Sequence, residues 1–339
     1  MSPAPMSTTP DIDVSIILVS YNTRDLTGAA LDSVLTETKT STYEVIAVDN
    51  NSSDGSAAML EAHPSKPRVV ALDSNVGFAR ANNLAAKEAC GKYLLLLNPD
   101  TVILDSAIDK LVAFARSMPE ARIWGGRTLF ADRSLNPASC WRRITAWNLF
   151  CRTTGLTAIF PNSEIFNSES FGNWKRDSIR NVDIVTGCFL LIEKEMWDRL
   201  GGFDPLFFMY GEESDLCLRA RAFAASPVVT PDAEIIHYGG ASEKVRADKM
   251  VRLIAAKSSL IGLHWPKAAV PFGRVLLAGW PFSRALAMSL RARLSHDLNA
   301  RQSAAIWREI WLRRAEWLKG YIAQTPIKTQ QPSLATVTS

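Results

Sequence analysis

The chain has 339 residues, of which 47% are hydrophobic and 21% are charged, with a formal net charge of +4. This length and composition predict a folded chain with a large apolar core and exclude wholesale disorder. The small net charge gives no indication of nucleic-acid binding. It conceals a division, however, because residues 240–339 carry 16 Lys/Arg and 5 Asp/Glu, whereas residues 1–239 carry 22 and 29. An acidic body therefore precedes a basic C-terminal segment.

The first hundred residues alternate predicted strands and helices joined by short connections. We predict strands at 14–20, 43–49, 69–72 and 93–97, and helices at 26–35 and 77–89. This alternation favours an α/β fold with a mostly parallel, doubly wound sheet. Ligands of such sheets bind beyond the carboxyl ends of the strands. That rule selects Ser20-Tyr21, Asp49 and Asn98-Pro99-Asp100 as candidate ligand-binding residues.

Later elements are less regular. We predict a helix at 106–118, a strand at 122–126, a strand at 182–192 with Gly187 at a close approach, a helix at 213–223 and a strand at 233–238. The aromatic-rich region 136–181 receives no assignment. Beyond residue 245 the pattern is helical and basic, with five interspersed tryptophans.

The cysteines and the termini limit the class of protein. The five cysteines are scattered without C-x-x-C spacing, which is typical of a reducing cytosol and argues against a disulfide framework or a zinc site. Residues 1–12 are expected to be a flexible leader without a signal sequence. No run of eighteen apolar residues predicts a membrane-spanning helix. The interrupted apolar stretch 268–282 could lie on a membrane surface.

Several strand-end residues have both a chemical and a purely structural interpretation. Asp100 could bind a divalent cation on a diphosphate, or Asn-Pro-Asp could simply form a turn. Asp49 could accept a hydrogen bond from a nucleoside or cap a turn. Tyr21 could stack on a base or close the sheet edge. Gly77, after Asn75, could bring the backbone close to a ligand or only begin a helix.

Two further sets of residues also have both a chemical and a purely structural interpretation. Glu212, Glu213 and Asp215 stand at a predicted helix start, where carboxylates complement the helix dipole. Alternatively, one of them is a general base whose pKa is raised by its neighbours. His237 is a metal ligand or a hydrogen-bonded core histidine.

The order of these signals closely resembles the family 2 glycosyltransferases of the GT-A fold, particularly bacterial rhamnosyl- and galactofuranosyltransferases. The elements that carry the resemblance cover about 13–242 and are VSIILVSYN (14–22), VDNNSSDG (48–55), NVGFARANN (75–83), LLNPD (96–100), TGCFL (186–190), GFD (202–204), YGEESDL (210–216) and HYGGAS (237–242).

The resemblance implies roles for individual residues. Ser20, Tyr21 and Asp49 would hold the nucleoside, and Asn75 and Gly77 would lie near the donor. Asp100 and His237 would bind Mn²⁺ or Mg²⁺ on the diphosphate. Asn98 stands where the family more often has Asp, so it would contact ribose or water.

The resemblance also implies an inverting transfer. Glu213 occupies the position of the base, where Asp is commoner, so the choice between Glu213 and Glu212 stays open. The base would take a proton from an acceptor hydroxyl, which attacks the anomeric carbon from the opposite face. The donor would be a dTDP- or UDP-linked sugar, rhamnose-like or another hexose. The acceptor would be a glycan or a polyprenyl-linked glycan of cell-surface polysaccharide synthesis.

The predicted organisation is a leader (1–12), a GT-A catalytic domain (13–242), a basic, Trp-containing helical extension (243–325) and a disordered tail (326–339). Basic amphipathic helices with tryptophan suit the anionic inner surface of a bacterial cell membrane, and the alternative is a packing or oligomer interface. Nucleic-acid binding is not expected, and homo-oligomerisation is left open.

A catalytically inactive sugar-nucleotide-binding protein is the alternative function. A nicotinamide dehydrogenase is excluded because no G-x-G-x-x-G follows the first strand.

Overall fold

The computed structural model describes residues 11–239, 246–294 and 298–321, apart from the side chain of residue 246. All but the last two residues of the predicted leader, and the whole of the predicted tail at 326–339, lie outside these ranges.

Eleven strands are present in the described residues: β1 (Val14–Ser20), β2 (Tyr43–Asp49), β3 (Arg68–Ala71), β4 (Tyr93–Leu97), β5 (Thr101–Ile103), β6 (Ile123–Leu129), β7 (Cys140–Trp141), β8 (Arg180–Asn181), β9 (Ile184–Val185), β10 (Phe189–Glu193) and β11 (Val228–His237). The α-helices described are α1 (Arg24–Glu37), α2 (Ser56–Ala62), α3 (Phe78–Lys87), α4 (Ala107–Ser117), α5 (Ala146–Thr154), α6 (Leu156–Ile159), α7 (Lys194–Leu200), α8 (Glu212–Ala220), α9 (Arg246–His264), α10 (Val270–Leu294), α11 (Leu298–Leu312) and α12 (Arg314–Trp317).

The main sheet has nine strands and is mixed. Its order is β3-β2-β1-β4-β10-β6-β11-β5, with β8 paired to β11. Strands β1 to β4 are mutually parallel where they pair, whereas β10 runs antiparallel to both β4 and β6. The α/β prediction is confirmed, and the mostly parallel arrangement holds in the N-terminal half of the sheet.

Alternation along the buried strands explains why helices cover both faces of this sheet. Successive side chains of a strand point to opposite faces. Ile17 and Val19 of β1 therefore pack in a core with α3, α7 and α8, whereas Ile16 and Leu18 pack in a core with α1, α2 and α4. The apolar runs of β1 and β4 are buried on both faces, so a ligand can reach this part of the sheet only at the loops that follow the strands.

The predicted single strand at 182–192 is wrong, because the chain breaks at 186–188. Strand β9 pairs with β7 in a separate two-stranded sheet, whereas β10 enters the main sheet. The Thr186 amide instead donates to the Ser139 carbonyl at 3.1 Å. The break places Gly187, which is buried, near the end of β4, where the Asn98 amide donates to the Cys188 carbonyl at 3.1 Å.

The C-terminal helices form a third core with α5. Leu149 of α5 packs there with Ile254 of α9, Leu277 and Trp280 of α10 and Trp317 of α12. Trp265, Trp307 and Trp311 pack against the same core. The tryptophans that suggested a membrane-facing surface thus contribute to internal packing. Among the described residues, no helix combines the length and apolar character needed to cross a bilayer.

Candidate functional site

The carboxyl ends of the parallel strands border a cavity of about 760 Å³, which we call the strand-end cavity. Parallel strands end at the same edge of a sheet, so the loops after β1, β2 and β4 meet there. The residues expected from sequence that line it are Tyr21, Asn75, Gly77, Asn98, Asp100, Glu212, Glu213 and His237. Residues from five separate segments of the chain are therefore brought together.

Ser20 and Asp49 lie beside this cavity but do not line it. The Ser20 hydroxyl is buried and lies 3.2 Å from the Thr23 hydroxyl and 3.0 Å from that of Thr27. Oδ2 of Asp49 accepts a hydrogen bond from the Ser52 amide at 3.1 Å, whereas its buried Oδ1 has no partner among the described residues. Direct contact of either residue with a nucleoside stays a prediction.

Asp100 and His237 form the clearest candidate for a cation site. Strand β11 pairs with β5 so that His237 is opposite Thr101, which places His237 Nε2 3.4 Å from Asp100 Oδ1. Burial acts to lower the pKa of His237, but the adjacent Cys188 sulfur and the Asp100 carboxylate raise it to about 10. Burial acts to raise the pKa of Asp100, and the bond to His237 lowers it below its usual range.

The donor set fits a divalent cation bound together with a substrate. Carboxylate oxygen and imidazole nitrogen suit Mn²⁺, and Mg²⁺ is commonly held by one or two carboxylates plus substrate phosphates. No group of three or more His, Cys, Asp or Glu side chains with metal-binding geometry occurs within the described ranges. Asp100 and His237 would be two of the ligands, and a cation would compete with the proton of His237. Asn98 Nδ2 lies 3.4 Å from the same imidazole nitrogen.

The two glutamates begin α8, and they face different surroundings. Gly211, with φ +92°, precedes the helix and turns the chain sharply. Glu212 is 4% exposed and lines the strand-end cavity, and its Oε2 has no partner among the described residues. Burial and the adjacent Glu213 carboxylate raise the pKa of Glu212 well above its usual range. Burial likewise raises the pKa of Glu213.

A second cavity of about 950 Å³ lies between α5, α8 and α9, and Glu213 lines it as well. We call it the basic cavity because its wall includes the cationic side chains of Arg142, Arg143, Arg152, Arg221, Lys249 and Lys257. Glu212 does not line this second cavity. Among the described residues, Glu213 is therefore the carboxylate that lines both cavities, which is where a general base could take a proton from a molecule in one cavity as that molecule attacks a molecule in the other.

Several lining residues were missed from sequence. Asn50 follows Asp49 and donates to Asn75 Oδ1 at 3.1 Å, while its own Oδ1 accepts from the Val76 amide at 2.9 Å, which fixes the turn before Gly77. Lys249 and Arg252 reach the strand-end cavity from α9. The VDNN motif could have indicated Asn50, but no local pattern indicates that α9 folds back onto this edge.

Comparison with known proteins gives a consistent assignment. Residues 15–183 match the family model described as "Glycosyl transferase family 2". The O-antigen biosynthesis protein RfbC of Myxococcus xanthus is 32% identical over 239 residues, which make up 69% of this chain and 18% of that protein. An N-acetylglucosaminyl-diphospho-decaprenol L-rhamnosyltransferase of Mycobacterium tuberculosis is 25% identical over 57% of this chain and 66% of its own length. The chain thus spans less than a fifth of the first relative and about two thirds of the second.

Solved structures share the fold at low sequence identity. A mannosyltransferase, PcManGT of Pyrobaculum calidifontis, solved with GDP-Man and Mn²⁺, superposes with a TM-score of 0.57 at 16% identity, over 91% of this chain and 88% of that one. Residues 1–349 of TarS from S. aureus, solved with UDP-GlcNAc, give a TM-score of 0.50 at 16% identity, over 91% and 89% of the two chains. These likenesses confirm the predicted GT-A fold.

Proposed function

Because the chain belongs to glycosyl transferase family 2, we propose that it transfers a sugar from a nucleotide diphosphate to an acceptor hydroxyl, with inversion at the anomeric carbon. The observation that carries this proposal is the position of Glu213 on the wall shared by the two cavities. The donor would occupy the strand-end cavity, bordered by Tyr21 and Asn75. The acceptor would approach Glu213 from the other side.

The proposed step needs one base and no covalent intermediate. The acceptor oxygen forms a bond to the anomeric carbon while the bond from that carbon to the diphosphate oxygen breaks. The acceptor proton passes to a Glu213 carboxylate oxygen, and the nucleoside diphosphate leaves. Asp100 and His237 would hold Mn²⁺ or Mg²⁺, which would neutralise charge on the leaving diphosphate.

The raised pKa of Glu213 supports this role. A carboxylate with an ordinary pKa is a weak base at neutral pH, and burial strengthens it by disfavouring its charged form. Glu212, whose free carboxylate oxygen faces only the strand-end cavity, would instead bind a hydroxyl of the donor sugar. The relatives named as rhamnosyltransferases support a rhamnose-like or other hexose donor and a glycan or polyprenyl-linked acceptor.

We also propose that α10 rests on an anionic membrane surface. One face of this helix carries apolar side chains at helical spacing that are 49–78% exposed, namely Phe272, Val275, Phe282, Leu286, Leu290 and Leu294. Arg291 and Arg293 stand in its last turn. An exposed apolar stripe beside cationic side chains complements an anionic bilayer surface.

A donor panel tests the enzymatic proposal. Purified protein with Mn²⁺ or Mg²⁺ is given dTDP-rhamnose, UDP-galactofuranose, UDP-hexoses and GDP-mannose, and both hydrolysis and transfer are measured. At least one donor should turn over, activity should fall with a chelator, and Asp100→Ala should lose it. Donor binding without turnover on any acceptor would favour a non-catalytic sugar-nucleotide-binding protein. Full transfer by both Asp100→Ala and Glu213→Gln would refute the assignment of the site.

A further inference from the structure

Tyr321, which follows α12, contacts the backbone of the segment that precedes the two glutamates. Its hydroxyl donates a hydrogen bond to the Met209 carbonyl. We propose that Tyr321 is a positioning residue, which holds the peptide between Met209 and Tyr210 in the orientation that allows the strand-end cavity to bind the sugar of the donor. The inference rests on the proposed function, since it adds a residue to the donor site described there.

Further contacts fix Tyr321 itself in place. Its amide donates to the hydroxyl of the buried Ser259 of α9 at 2.7 Å, and its ring packs edge-on against that of Phe207, with 5.9 Å between the ring centres. The hydroxyl also lies 3.4 Å from the Arg252 carbonyl. Because the amide, the ring and the hydroxyl are all held, the hydroxyl can constrain the peptide that it contacts instead of following it.

The peptide that Tyr321 contacts is held in a strained conformation. Tyr210 has φ +70°, in the left-handed region that a bulky residue rarely adopts. Rotating the peptide between Met209 and Tyr210 by half a turn would bring φ of Tyr210 to about −110°, an ordinarily allowed value. The rotation would also turn the Met209 carbonyl away from Tyr321. Strained residues persist where the surrounding contacts fix them, and the Tyr321 hydrogen bond is such a contact.

The chain is fixed on both sides of this peptide, so a rotation would stay local. On one side the Phe208 carbonyl accepts from the Phe78 amide at 2.8 Å. On the other side the Gly211 carbonyl accepts from the Asp215 amide at 2.9 Å, in the first turn of α8. The fold therefore allows two orientations of one peptide, of which Tyr321 selects the strained one.

The orientation of the peptide affects Glu212. Met209, Tyr210 and Glu212 all line the strand-end cavity. Burial and the Glu213 carboxylate raise the pKa of Glu212, whereas the amides of Glu212 and Tyr210 act to lower it, so the Tyr210 N–H lies on the side of this carboxylate. In the rotated peptide the Met209 carbonyl oxygen would replace that N–H, and a carbonyl oxygen can only accept hydrogen bonds. We therefore expect the rotated state to misplace Glu212, which is proposed to bind a hydroxyl of the donor sugar.

Donor binding measures this effect without requiring an acceptor. Calorimetry with Mn²⁺ compares dTDP-rhamnose, UDP-galactofuranose, UDP-hexoses and GDP-mannose with the sugar-free dTDP, UDP and GDP. Tyr321→Phe keeps the ring and removes the hydroxyl, so it should raise the Kd of the nucleotide sugar that turns over by about three- to tenfold. The Kd of the matching sugar-free diphosphate should change by less than about twofold. A general loosening of the cavity would raise both values.

Steady-state kinetics give a second measure of the same effect. In Tyr321→Phe the donor KM should rise in parallel with the Kd of the nucleotide sugar. The value of kcat at saturating donor should fall much less, because bound donor shifts the population back to the orientation that binds it. A fall in kcat with an unchanged donor KM would contradict the inference.

Two backgrounds separate the orientation of the peptide from the mere loss of a hydroxyl. Tyr210→Gly relieves the strain, because glycine adopts positive φ freely, whereas Tyr210→Ala removes the same ring and keeps the strain. Added to the alanine variant, Tyr321→Phe should still raise the Kd of the nucleotide sugar about three- to tenfold. Added to the glycine variant, it should raise that Kd by less than about twofold. Tyr43→Phe is the matched control, because Tyr43 of β2 lines neither cavity, and it should bind the donor as the unaltered protein does.

A crystal structure of Tyr321→Phe measures φ of Tyr210 directly, and we expect a negative value. Thermal unfolding checks that each variant is folded. The inference is overturned if φ stays positive in that structure, if the Kd values of the nucleotide sugar and of the sugar-free diphosphate rise together, or if the glycine and alanine backgrounds respond alike. A protein that neither binds nor turns over any nucleotide sugar would contradict the proposed function instead, and the crystal structure would still decide the orientation of the peptide.

Discussion

His264 Nε2 lies 2.8 Å from Asp215 Oδ1, and this contact joins α9 to α8 two residues after Glu213. Asp215 is 2% exposed, and its other oxygen accepts from Arg219 Nε at 2.6 Å. Arg219 in turn donates to the carbonyls of Leu200 and Gly202. The helix that begins with both glutamates is thereby fixed from two sides, and one of those supports comes from the C-terminal helices.

Removing the imidazole from this contact should loosen α8. His264→Ala leaves a buried carboxylate with one partner fewer, which we expect to lower the free energy of unfolding by roughly 1–3 kcal/mol. We also expect kcat to fall more than donor KM rises, since His264 lies in the basic cavity and away from the donor. His264→Gln keeps an amide donor and should recover most of both losses. Urea unfolding and transfer kinetics check this, and an alanine variant that matches the unaltered protein in both would contradict it.

The two glutamates should respond differently to loss of charge. Glu213→Gln removes the proton acceptor and should lower kcat about 10²–10⁴-fold. Glu212→Gln should mainly raise the KM for the donor, because Glu212 faces only the strand-end cavity. Steady-state kinetics on both variants measure this difference. The reverse pattern would transfer the role of the base to Glu212.

The pH dependence of kcat/KM should show the raised pKa of the glutamate pair. Only the deprotonated base accepts the acceptor proton, so activity is lost as pH falls through the pKa of the pair. Burial raises the pKa of both carboxyls, so the acidic limb should lie above pH ~4.3, the ordinary value for Glu. Because the two groups interact, the profile reports an apparent value of the pair. A midpoint at or below the ordinary value would contradict this account.

Gly77 is expected to tolerate no side chain. Its φ of +84° and ψ of 168° lie in a region that is essentially restricted to glycine, which alone costs about 1–3 kcal/mol for another residue. A Cβ would also lie 2.5 Å from the Phe208 carbonyl oxygen. Gly77→Ala should therefore lower the free energy of unfolding more than Gly201→Ala. Gly201 has φ +71° but no atom within 4 Å of an added Cβ. If denaturant unfolding showed the same loss of free energy of unfolding for both variants, the clash with the Phe208 carbonyl oxygen would be excluded.

The exposed face of α10 should determine membrane binding. Leu286 and Leu290 are 63% and 56% exposed, so Leu286→Gln/Leu290→Gln should reduce flotation with phosphatidylglycerol-containing liposomes without altering the fold. Leu35→Gln, at a 41% exposed position on α1, is the matched control and should float like the unaltered protein. Unchanged flotation of the double variant, or no flotation of the unaltered protein, would refute the membrane proposal.

Sequence alone predicted the elements whose stability is local. The bounds of β1, β2 and β4 were predicted to the residue, because each consists mostly of apolar residues and ends at a turn. The region 136–181 could not be assigned because its elements are short and depend on distant contacts. Glu169, for example, is held by Lys257, 88 positions later. Strand β5 was missed because its three residues form a strand only by pairing with β11.

In the candidate site, too, sequence predicted the residues that follow local patterns and missed those placed by distant contacts. The strand-end rule selected Asp100, and the structure brings it to 3.4 Å from His237, because β11 ends beside β5. The sequence boundary at residue 242 excluded α9 from the site, yet Lys249 and Arg252 line the strand-end cavity. The direction in which α9 docks depends on the Asp215, Glu169 and α5 contacts, and none of these is visible as a local pattern.

If the donor and the acceptor occupy the two cavities as proposed, donor recognition and acceptor choice would depend on largely separate sets of side chains, although α9 lines both cavities. Exchanging side chains that line only the basic cavity, with the strand-end residues kept intact, would then be expected to alter acceptor choice and to leave donor recognition unchanged. Only the side chains at the junction, above all Glu213, Tyr210 and Lys249, would have to satisfy both partners at once. Conversely, a truncation before α9 would remove side chains that line both cavities, and we expect such a fragment to be inactive.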